Sequence, residues 1–293
     1  MTSPFPREHI CGLRPAIRLF DRSPMRLILV CICAAVIASD STSAMPPPGY
    51  KLIFDEEFRG PLSVPPGTGW GATPPTRWIT HTPYGGDFGN AWFTGPSEPG
   101  TPSPFSVNKG ILTITAYKDP NNKNHWRSGI LSSVDTHGNG FSVALGYFEC
   151  SMKLPSGAGV WPAFWLAGTN GVDKKRTTNA AEIDVLEEYG VDSTIAHQHV
   201  HVWKPKGGES YSIGNSSKLQ GMTTGFHVYG CLITKDFIRF CFDGLQIWQT
   251  PAPPEALEPL YVMVDLALGG GWPIDQTPNP SFLDVEYIRV YAP

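Results

Sequence analysis

Short segments with the alternating pattern of β-strands recur along the chain, and no long segment has the period of a helix. Turns rich in glycine and proline separate them, and the sequence has 31 glycines and 29 prolines. We predict strands near residues 50–57, 111–117, 129–135, 145–154, 160–167, 181–187, 194–203, 226–234, 237–243, 260–267 and 282–291. This pattern predicts an all-β fold, a jelly-roll sandwich of antiparallel sheets.

Length and charge narrow the class of protein. The chain has 293 residues, of which 41% are hydrophobic, and a net charge of −4. All-β sandwiches of roughly 200–250 residues commonly form one domain. The charge does not indicate nucleic-acid binding, and we expect a monomer.

Residues 25–44 have the composition of a secretory signal peptide. Arg26 precedes an apolar run at 27–38, small residues follow, and we expect cleavage after Ala38 or Ala44. The run is too short to span a membrane comfortably. We therefore predict a secreted protein, extracellular or periplasmic, with no membrane contact after cleavage; an uncleaved anchor is the alternative.

The signal peptide divides the rest of the chain. Residues 1–24 form a polar, proline-rich extension, which lies outside the protein if Met25 is the true start. Residues 45–49 are interpreted as a linker and residues 50–293 as the single folded domain.

The cysteines of this domain are Cys150, Cys231 and Cys241. Cys231 and Cys241 flank a predicted hairpin turn, which leaves a disulfide open, but we interpret them as buried thiols in neighbouring strands. Their spacing does not indicate a zinc site.

The segment EIDVLEE, residues 182–188, places acids in a strand pattern. Glu182 and Asp184 share one face of the strand, because side chains alternate. Regular alternation would place Glu187 on the opposite, apolar face. A β-bulge between Asp184 and Glu187 would return Glu187 to the face of the other two acids. Without a bulge, Glu188 would share that face instead.

Three carboxyl groups on one face raise the pKa of at least one of them. One ionised carboxylate beside one protonated carboxyl, about 5–5.5 Å apart, is the pair that a retaining glycosidase uses. A solvent-facing acidic strand edge is the alternative interpretation.

Four segments in this order resemble glycoside hydrolase family 16, which includes β-glucanases, laminarinases, agarases and carrageenases. They are YKLIFDEEF at 50–58, GYFECSMKLPSGAGVWPAFWLAG at 146–168, the E-x-D-x-x-E motif at 182–187 and LDVEYIRVY at 283–291. The resemblance covers residues 50–293 and implies two curved antiparallel sheets with a concave substrate cleft. It also implies roles for the acids: Glu182 as nucleophile, Asp184 as the residue that tunes it, and Glu187, preferred to Glu188, as acid/base.

Tryptophans are the candidate sugar platforms, because an indole offers a flat apolar surface and one N–H donor. Trp161 and Trp165 share a strand face, which by periodicity alone favours a core position. The resemblance implies instead that both face the cleft. It implies the same for Trp272, which lies in a glycine-rich loop.

The long irregular segment 59–105 is interpreted as a functional loop. The resemblance implies that it lines the cleft, and Asn90 and Trp92 are its candidate sugar contacts.

His197, His199, His201 and Trp203 alternate with apolar and amide residues, so they share a face. The resemblance places a histidine of this strand near the sugar. We expect His199 or His201 to hydrogen-bond substrate or Asp184, with zinc binding as the alternative.

Metal and cofactor requirements follow from the resemblance. Catalysis is expected to need no cofactor. The family implies a structural Ca²⁺ with Glu286 as candidate ligand, against the alternative of a surface glutamate.

The sequence therefore predicts a secreted, retaining endo-β-glycanase that hydrolyses β-1,3- or mixed β-1,3/1,4-glucan by double displacement. Alternatives within the fold are an enzyme that acts on agarose, carrageenan or exopolysaccharide, and a transglycosylase. A non-catalytic lectin-like protein is the alternative from another class, although it would not need all three acids.

Overall fold

The computed structural model describes residues 45–67, 69–70, 75–172, 177–205 and 208–293. These residues belong to one compact unit, residues 42–293. The predicted signal peptide and the extension before it lie outside the described residues. Where the structure describes the chain, its helices are single 3₁₀ turns at Thr169–Gly171 and Pro254–Leu257, and no helix there is long and apolar enough to cross a membrane.

The described strands form two sheets, which confirms the predicted all-β sandwich. The larger sheet contains β1 (Lys51–Glu56), β2 (Ala91–Phe93), β3 (Phe105–Asn108), β4 (Ile111–Asp119), β5 (Asn122–Ser128), β7 (Gly146–Lys153), β12 (His227–Ile233), β13 (Phe237–Phe242), β14 (Leu245–Pro251) and β16 (Ser281–Ala292). The six-stranded sheet has the order β11 (Tyr211–Lys218), β10 (Ile195–Trp203), β9 (Ala180–Glu188), β8 (Val160–Gly168), β15 (Leu260–Leu268) and β6 (Ile130–Ser132). Its strand pairs are all antiparallel.

All eleven predicted strands are present, and the strands that were missed are short or largely exposed. β2, β3, β5, β11 and β14 were not predicted. β11 is a mostly exposed edge strand, YSIGNSSK, and lacks apolar alternation. The predicted strand at 129–135 is shorter than expected and ends at Ser132. Pairing with a neighbouring strand, which local pattern does not encode, therefore defines these elements.

The main core lies between the two sheets. Phe164 and Leu166 of β8 enter it from the six-stranded sheet, while Phe148 and Met152 of β7 enter it from the larger sheet. A second apolar cluster covers the outer face of β8 and β15 and includes Trp165. The six-stranded sheet thus packs on both faces, and the acids lie beside the second cluster.

The three cysteines of the domain are buried free thiols, as interpreted from the sequence. Burial raises the pKa of Cys150 and Cys231 well above the usual value. Neutral thiols packed in strands are expected to be unreactive.

Glu188, the last residue of β9, is fully buried. Burial raises the pKa of its carboxyl to about 8, and neither carboxyl oxygen has a hydrogen-bond partner among the described residues. In the unfolded chain a glutamate ionises near about pH 4.3. Between that pH and about 8 the unfolded state loses this proton while the folded state keeps it, so Glu188 lowers stability progressively as pH rises.

We expect Glu188→Gln to remove this pH-dependent loss. The melting temperature of the variant, relative to wild type, should rise from pH 4 to pH 8 by on the order of 10 °C. One pKa unit corresponds to about 1.4 kcal/mol, and 1 kcal/mol shifts the melting temperature of a domain this size by roughly 2–4 °C. Thermal denaturation monitored by circular dichroism measures the melting temperatures of the variant and the wild type at each pH. The exposed Glu209→Gln is the control, and a constant difference across pH would contradict the prediction.

Candidate active site

A β-bulge in β9 brings the three acids to one face of the six-stranded sheet, as predicted. The register with β8 pairs Trp165 with Asp184 and Phe164 with Leu186, so Val185 is the extra residue. Val185 and Leu186 both enter the main core although they are adjacent. Because two adjacent residues point inward, the alternation shifts by one residue. Glu187 therefore projects from the same face of the sheet as Asp184.

The register with both neighbouring strands defines the surroundings of the acids. The β8 partners are Ala167 for Glu182, Trp165 for Asp184 and Ala163 for Glu187, and the β10 partners are His201, His199 and His197 in the same order. The hydrogen bonds run diagonally, so each acid bonds to the β10 side chain two residues beyond its direct partner, as described below.

Glu187 receives the most hydrogen bonds of the three acids. The indole N–H of Trp161 donates to Glu187 Oε1 at 2.9 Å, and the Tyr189 hydroxyl donates to the same oxygen at 3.3 Å. His199 Nδ1 lies 3.1 Å from Glu187 Oε2. Both carboxylate oxygens are therefore held in place.

Asp184 and Glu182 continue this row. His201 Nε2 lies 3.0 Å from Asp184 Oδ2, and the indole N–H of Trp203 donates to Glu182 Oε2 at 3.2 Å. His201 Nδ1 is hydrogen-bonded to the Ser212 hydroxyl, which fixes the orientation of the ring. The structure therefore places both predicted histidines beside the acids, and His201 is the one that contacts Asp184.

The charges are distributed unevenly over the three acids. Burial raises the pKa of Asp184 well above its usual range, and the charge of Glu187 adds to this. Burial, with a smaller effect of Asp184, raises the pKa of Glu182 to about 8.

Glu187 differs from the other two acids. Burial alone would raise its pKa, but the hydrogen bond and charge of His199, with the bond from Trp161, lower it overall. The hydrogen bond with Glu187 in turn raises the pKa of His199. These directions favour charge on Glu187 and His199 and protons on Asp184 and Glu182.

The two tryptophans of β8 share the predicted face but differ in access. Trp161 is partly exposed and packs on Tyr189 with ring centroids 5.8 Å apart. Trp165 is only 5% exposed. The Phe88 ring covers Trp165 edge-on, with ring centroids 5.9 Å apart. The indole N–H of Trp165 donates to Asp265 Oδ1 at 2.7 Å. Trp165 thus lies under the surface, and its predicted contact with sugar stays a prediction.

The glycines of the loop after β15 lie against Asn90, Trp161 and Tyr189, and the last two of these bond Glu187. Asn90, whose backbone N–H donates to Leu268 O at 2.8 Å, lies against this loop. A Cβ at Gly269 would meet Asn90 Oδ1 at 2.0 Å, and one at Gly270 would meet Trp161 and Tyr189 at 2.5–2.9 Å. Both glycines have positive φ, so only glycine brings the backbone this close. Trp272, 47% exposed, follows in the same loop.

Trp92 lies apart from these contacts. It is 48% exposed, and its ring packs edge-on against His125 of β5 at 4.3 Å. The next residue, Phe93, joins the second apolar cluster instead, together with Phe88. Because neighbouring side chains of β2 point to opposite sides, Trp92 points away from the cluster that Phe93 joins. The predicted contact between Trp92 and sugar therefore stays a prediction.

Sequence reasoning missed two residues beside the acids, Tyr189 and Asp265, and it missed Phe88, which packs on Trp161 and Trp165. Asp265 had a signal, because it is the only acid in the apolar strand LYVMVDLAL. Burial raises its pKa to about 8. Tyr189 directly follows the acidic segment. Phe88 had no signal, because the position of its loop depends on tertiary packing.

Glu286, the candidate calcium ligand, is an exposed residue of β16. Its Oε2 accepts a hydrogen bond from the Ser151 hydroxyl at 2.9 Å. Calcium takes six to eight oxygen ligands. Among the described residues, Glu286 belongs to no group of three or more converging acidic, histidine or cysteine side chains, so calcium stays a prediction that would depend on backbone carbonyls.

Comparisons with known proteins agree on one family. The profile of "Glycosyl hydrolases family 16" matches residues 101–288. An endo-1,3-1,4-beta-glycanase of Rhizobium meliloti is 36% identical over 211 residues, which are 69% of this chain and 43% of that protein. The chain therefore spans less than half the length of that relative.

For two further proteins, the alignment with this chain covers a larger share of the relative. A beta-glucanase of Rhodothermus marinus is 30% identical over 63% of this chain and 69% of that protein. The catalytic domain of an endo-1,3-beta-glucanase (laminarinase) from Thermotoga petrophila superposes with a TM-score of 0.64. It shares 22% identity, over 83% of this chain and 98% of that domain, and so shows the fold alone.

Proposed function

Because the chain belongs to glycosyl hydrolase family 16 and is a glycoside hydrolase, we propose that it cleaves β-1,3- or mixed β-1,3/1,4-glucan internally with retention of configuration. The observation that carries this proposal is the bulged strand that brings Glu182, Asp184 and Glu187 to one face. A sheet face that binds sugar without reacting with it has no need of three buried or half-buried acids, which are costly to desolvate.

In the first step, the Glu182 carboxylate attacks the anomeric carbon as the glycosidic C–O bond breaks. Glu187 gives its proton to the departing oxygen, so that a glycosyl ester on Glu182 and a free sugar hydroxyl result. Trp203 donates to Glu182 and stabilises the carboxylate before attack. Asp184, with its raised pKa, stays protonated and adds no second negative charge beside the nucleophile.

In the second step, water attacks the anomeric carbon of the glycosyl ester. Glu187, now a carboxylate, accepts a proton from this water. The Glu182 carboxylate leaves, and both acids return to their starting states. Trp161 and Tyr189 donate to Glu187 Oε1 and His199 bonds Oε2, so these three side chains hold the Glu187 carboxyl in place while it exchanges the proton.

The charges of the free site make the reactive form a minority. Attack needs Glu182 ionised and Glu187 protonated, whereas the pKa of Glu182 is raised to about 8 and that of Glu187 is lowered. The product of the two required fractions still peaks between the two pKa values, so the pH–rate profile is bell-shaped. Its acidic limb reports Glu187 and its basic limb reports Glu182, as macroscopic values of a coupled group.

The substrate is inferred from what the relatives are named for. The Rhizobium meliloti protein is an endo-1,3-1,4-beta-glycanase and the Thermotoga petrophila domain is an endo-1,3-beta-glucanase. We also propose that the enzyme is secreted, because residues 25–44 have the signal-peptide pattern.

A substrate panel tests the proposed function. Purified protein is incubated with laminarin, lichenan, agarose, carrageenan and xyloglucan, and reducing ends are measured. We expect release from laminarin, lichenan or both, with oligosaccharides of several lengths early in the reaction because cleavage is internal. Release from agarose or carrageenan alone would refute the glucan assignment. Proton NMR of the first products, with the β-anomer appearing first, tests retention.

His199 should set the acidic limb of the pH–rate profile. Replacing it with alanine removes the hydrogen bond and charge that lower the pKa of Glu187. We therefore expect the acidic limb of kcat/KM to move to higher pH, and the measurement is kcat/KM on laminarin from pH 3 to 9. His197→Ala, on the same strand face, is the matched control. An acidic limb that stays in place in His199→Ala would contradict this role.

A further inference from the structure

His199, His201 and Asp184 form a group whose geometry goes beyond acid–base catalysis. Each offers one ligand atom, and the three atoms lie within 4.8 Å of one another. Asp184 is buried, whereas both histidines are partly exposed to the cleft. A metal held by these three atoms would therefore keep an open coordination position toward solvent.

We propose that His199, His201 and Asp184 form a binding site for a transition-metal dication such as Zn²⁺, and that the bound metal closes the active site. Imidazole nitrogens favour zinc, copper and nickel over calcium and magnesium, which prefer oxygen ligands. Two histidines and a carboxylate with one open position is a common zinc arrangement. The inhibitory part rests on the proposed hydrolase function, whereas the binding part does not.

The spacing of the ligand atoms suits zinc after a small adjustment. Zn–N and Zn–O bonds of about 2.0–2.2 Å put tetrahedral ligand atoms roughly 3.3–3.5 Å apart. His201 Nε2 and Asp184 Oδ2 are already 3.0 Å apart. His199 Nδ1 lies 3.1 Å from Glu187 Oε2, and a metal bound through this nitrogen would replace that contact.

The histidine rings are held from behind, as ligating histidines usually are. The second nitrogen of His201 is hydrogen-bonded to Ser212, and its ring stacks on Trp203 with centroids 5.2 Å apart. His199 packs against Gly214, where a Cβ would lie 2.2 Å from the ring carbon Cδ2. Both rings thus present one nitrogen toward the acids without reorganisation of the strand.

The charge beside the group favours a cation. Glu187, whose pKa is lowered, places its Oε2 3.1 Å from His199 Nδ1. A dication here would displace the proton of Asp184 and interact with the Glu187 carboxylate. Metal binding would also engage Asp184, and it would break the hydrogen bond between His199 and Glu187. Turnover would therefore stop when the metal is bound.

Calorimetric titration of the full chain with ZnCl₂, after dialysis against chelator, tests the proposal. We expect one zinc ion per chain and affinities at least tenfold weaker in His199→Ala and in His201→Ala. His227→Ala is the matched control, because His227 pairs with Asp243 at 2.7 Å elsewhere on the protein, and it should bind zinc as wild type does. Circular dichroism confirms that each variant is folded, and Co²⁺ in place of zinc reports four-coordinate geometry by its visible absorption.

Absence of binding in wild type, or binding that persists in both His199→Ala and His201→Ala, would overturn the proposal. Zinc should also inhibit laminarin hydrolysis, and chelator should reverse this. Zinc binding by a protein that hydrolyses no glucan would refute the proposed function and leave the metal site standing. Hydrolysis without zinc binding would do the reverse.

Discussion

Glu182→Gln is expected to lower the turnover of laminarin by a factor on the order of 10⁴ or more. The amide has nearly the shape of the carboxylate but is not a nucleophile, so the glycosyl ester cannot form. Trp203 can still donate its N–H to the amide oxygen at the position where it now bonds Glu182 Oε2. The loss should therefore appear in kcat rather than KM, measured as reducing-end release over a range of laminarin concentrations.

The same variant separates an enzyme from a lectin-like protein. Binding of a laminari-oligosaccharide, measured by calorimetry, should persist in Glu182→Gln, because the partly exposed Trp161, Asn90 and Trp272 are unchanged. Glu209→Gln is the surface control and should keep wild-type turnover. Full activity in Glu182→Gln would exclude Glu182 as nucleophile, and loss of both binding and the melting transition would show a folding defect instead.

The arrangement of the acids could be predicted partly from local geometry and partly from the family resemblance, which favoured Glu187 over Glu188. Strand alternation puts Glu182 and Asp184 on one face, and only an inserted residue brings Glu187 back to them. The structure shows that residue to be Val185, with Leu186 also directed into the core. The face shared by His199, His201 and Trp203 followed from the same alternation, and the register of β9 with β10 then brought this face to the acids.

The rest of the site depends on tertiary packing, which local patterns do not encode. Phe88 reaches Trp161 and Trp165 from an irregular segment, and nothing in its sequence neighbourhood indicates this. Trp165 faces the predicted side, but the covering loop makes it nearly inaccessible. Trp92 and Phe93 were indistinguishable as aromatic residues of one segment, and only the pairing of β2 with β5 decides which of them turns toward the cluster.

The choice between Glu187 and Glu188 as acid/base provides the second large effect. Glu187 lies on the cleft face with donors on both oxygens, whereas Glu188 is fully buried. Glu187→Gln should lower kcat on laminarin by roughly 10²–10⁴-fold, the usual contribution of a general acid–base group. Glu188→Gln, the adjacent and chemically identical change, should keep turnover close to wild type.

The substrate dependence of Glu187→Gln shows whether the lost step is proton transfer. An aryl β-glucoside with an acidic phenol departs with little help from a proton, so glycosylation of Glu182 should be slowed far less on this substrate than on laminarin. Azide, which attacks the glycosyl ester without base assistance, should then restore turnover of the aryl substrate and yield a β-glycosyl azide. Equal loss on both substrates with no azide product would contradict acid/base catalysis by Glu187. A greater loss in a folded Glu188→Gln would transfer the role to Glu188, and the bulge would then have no catalytic purpose.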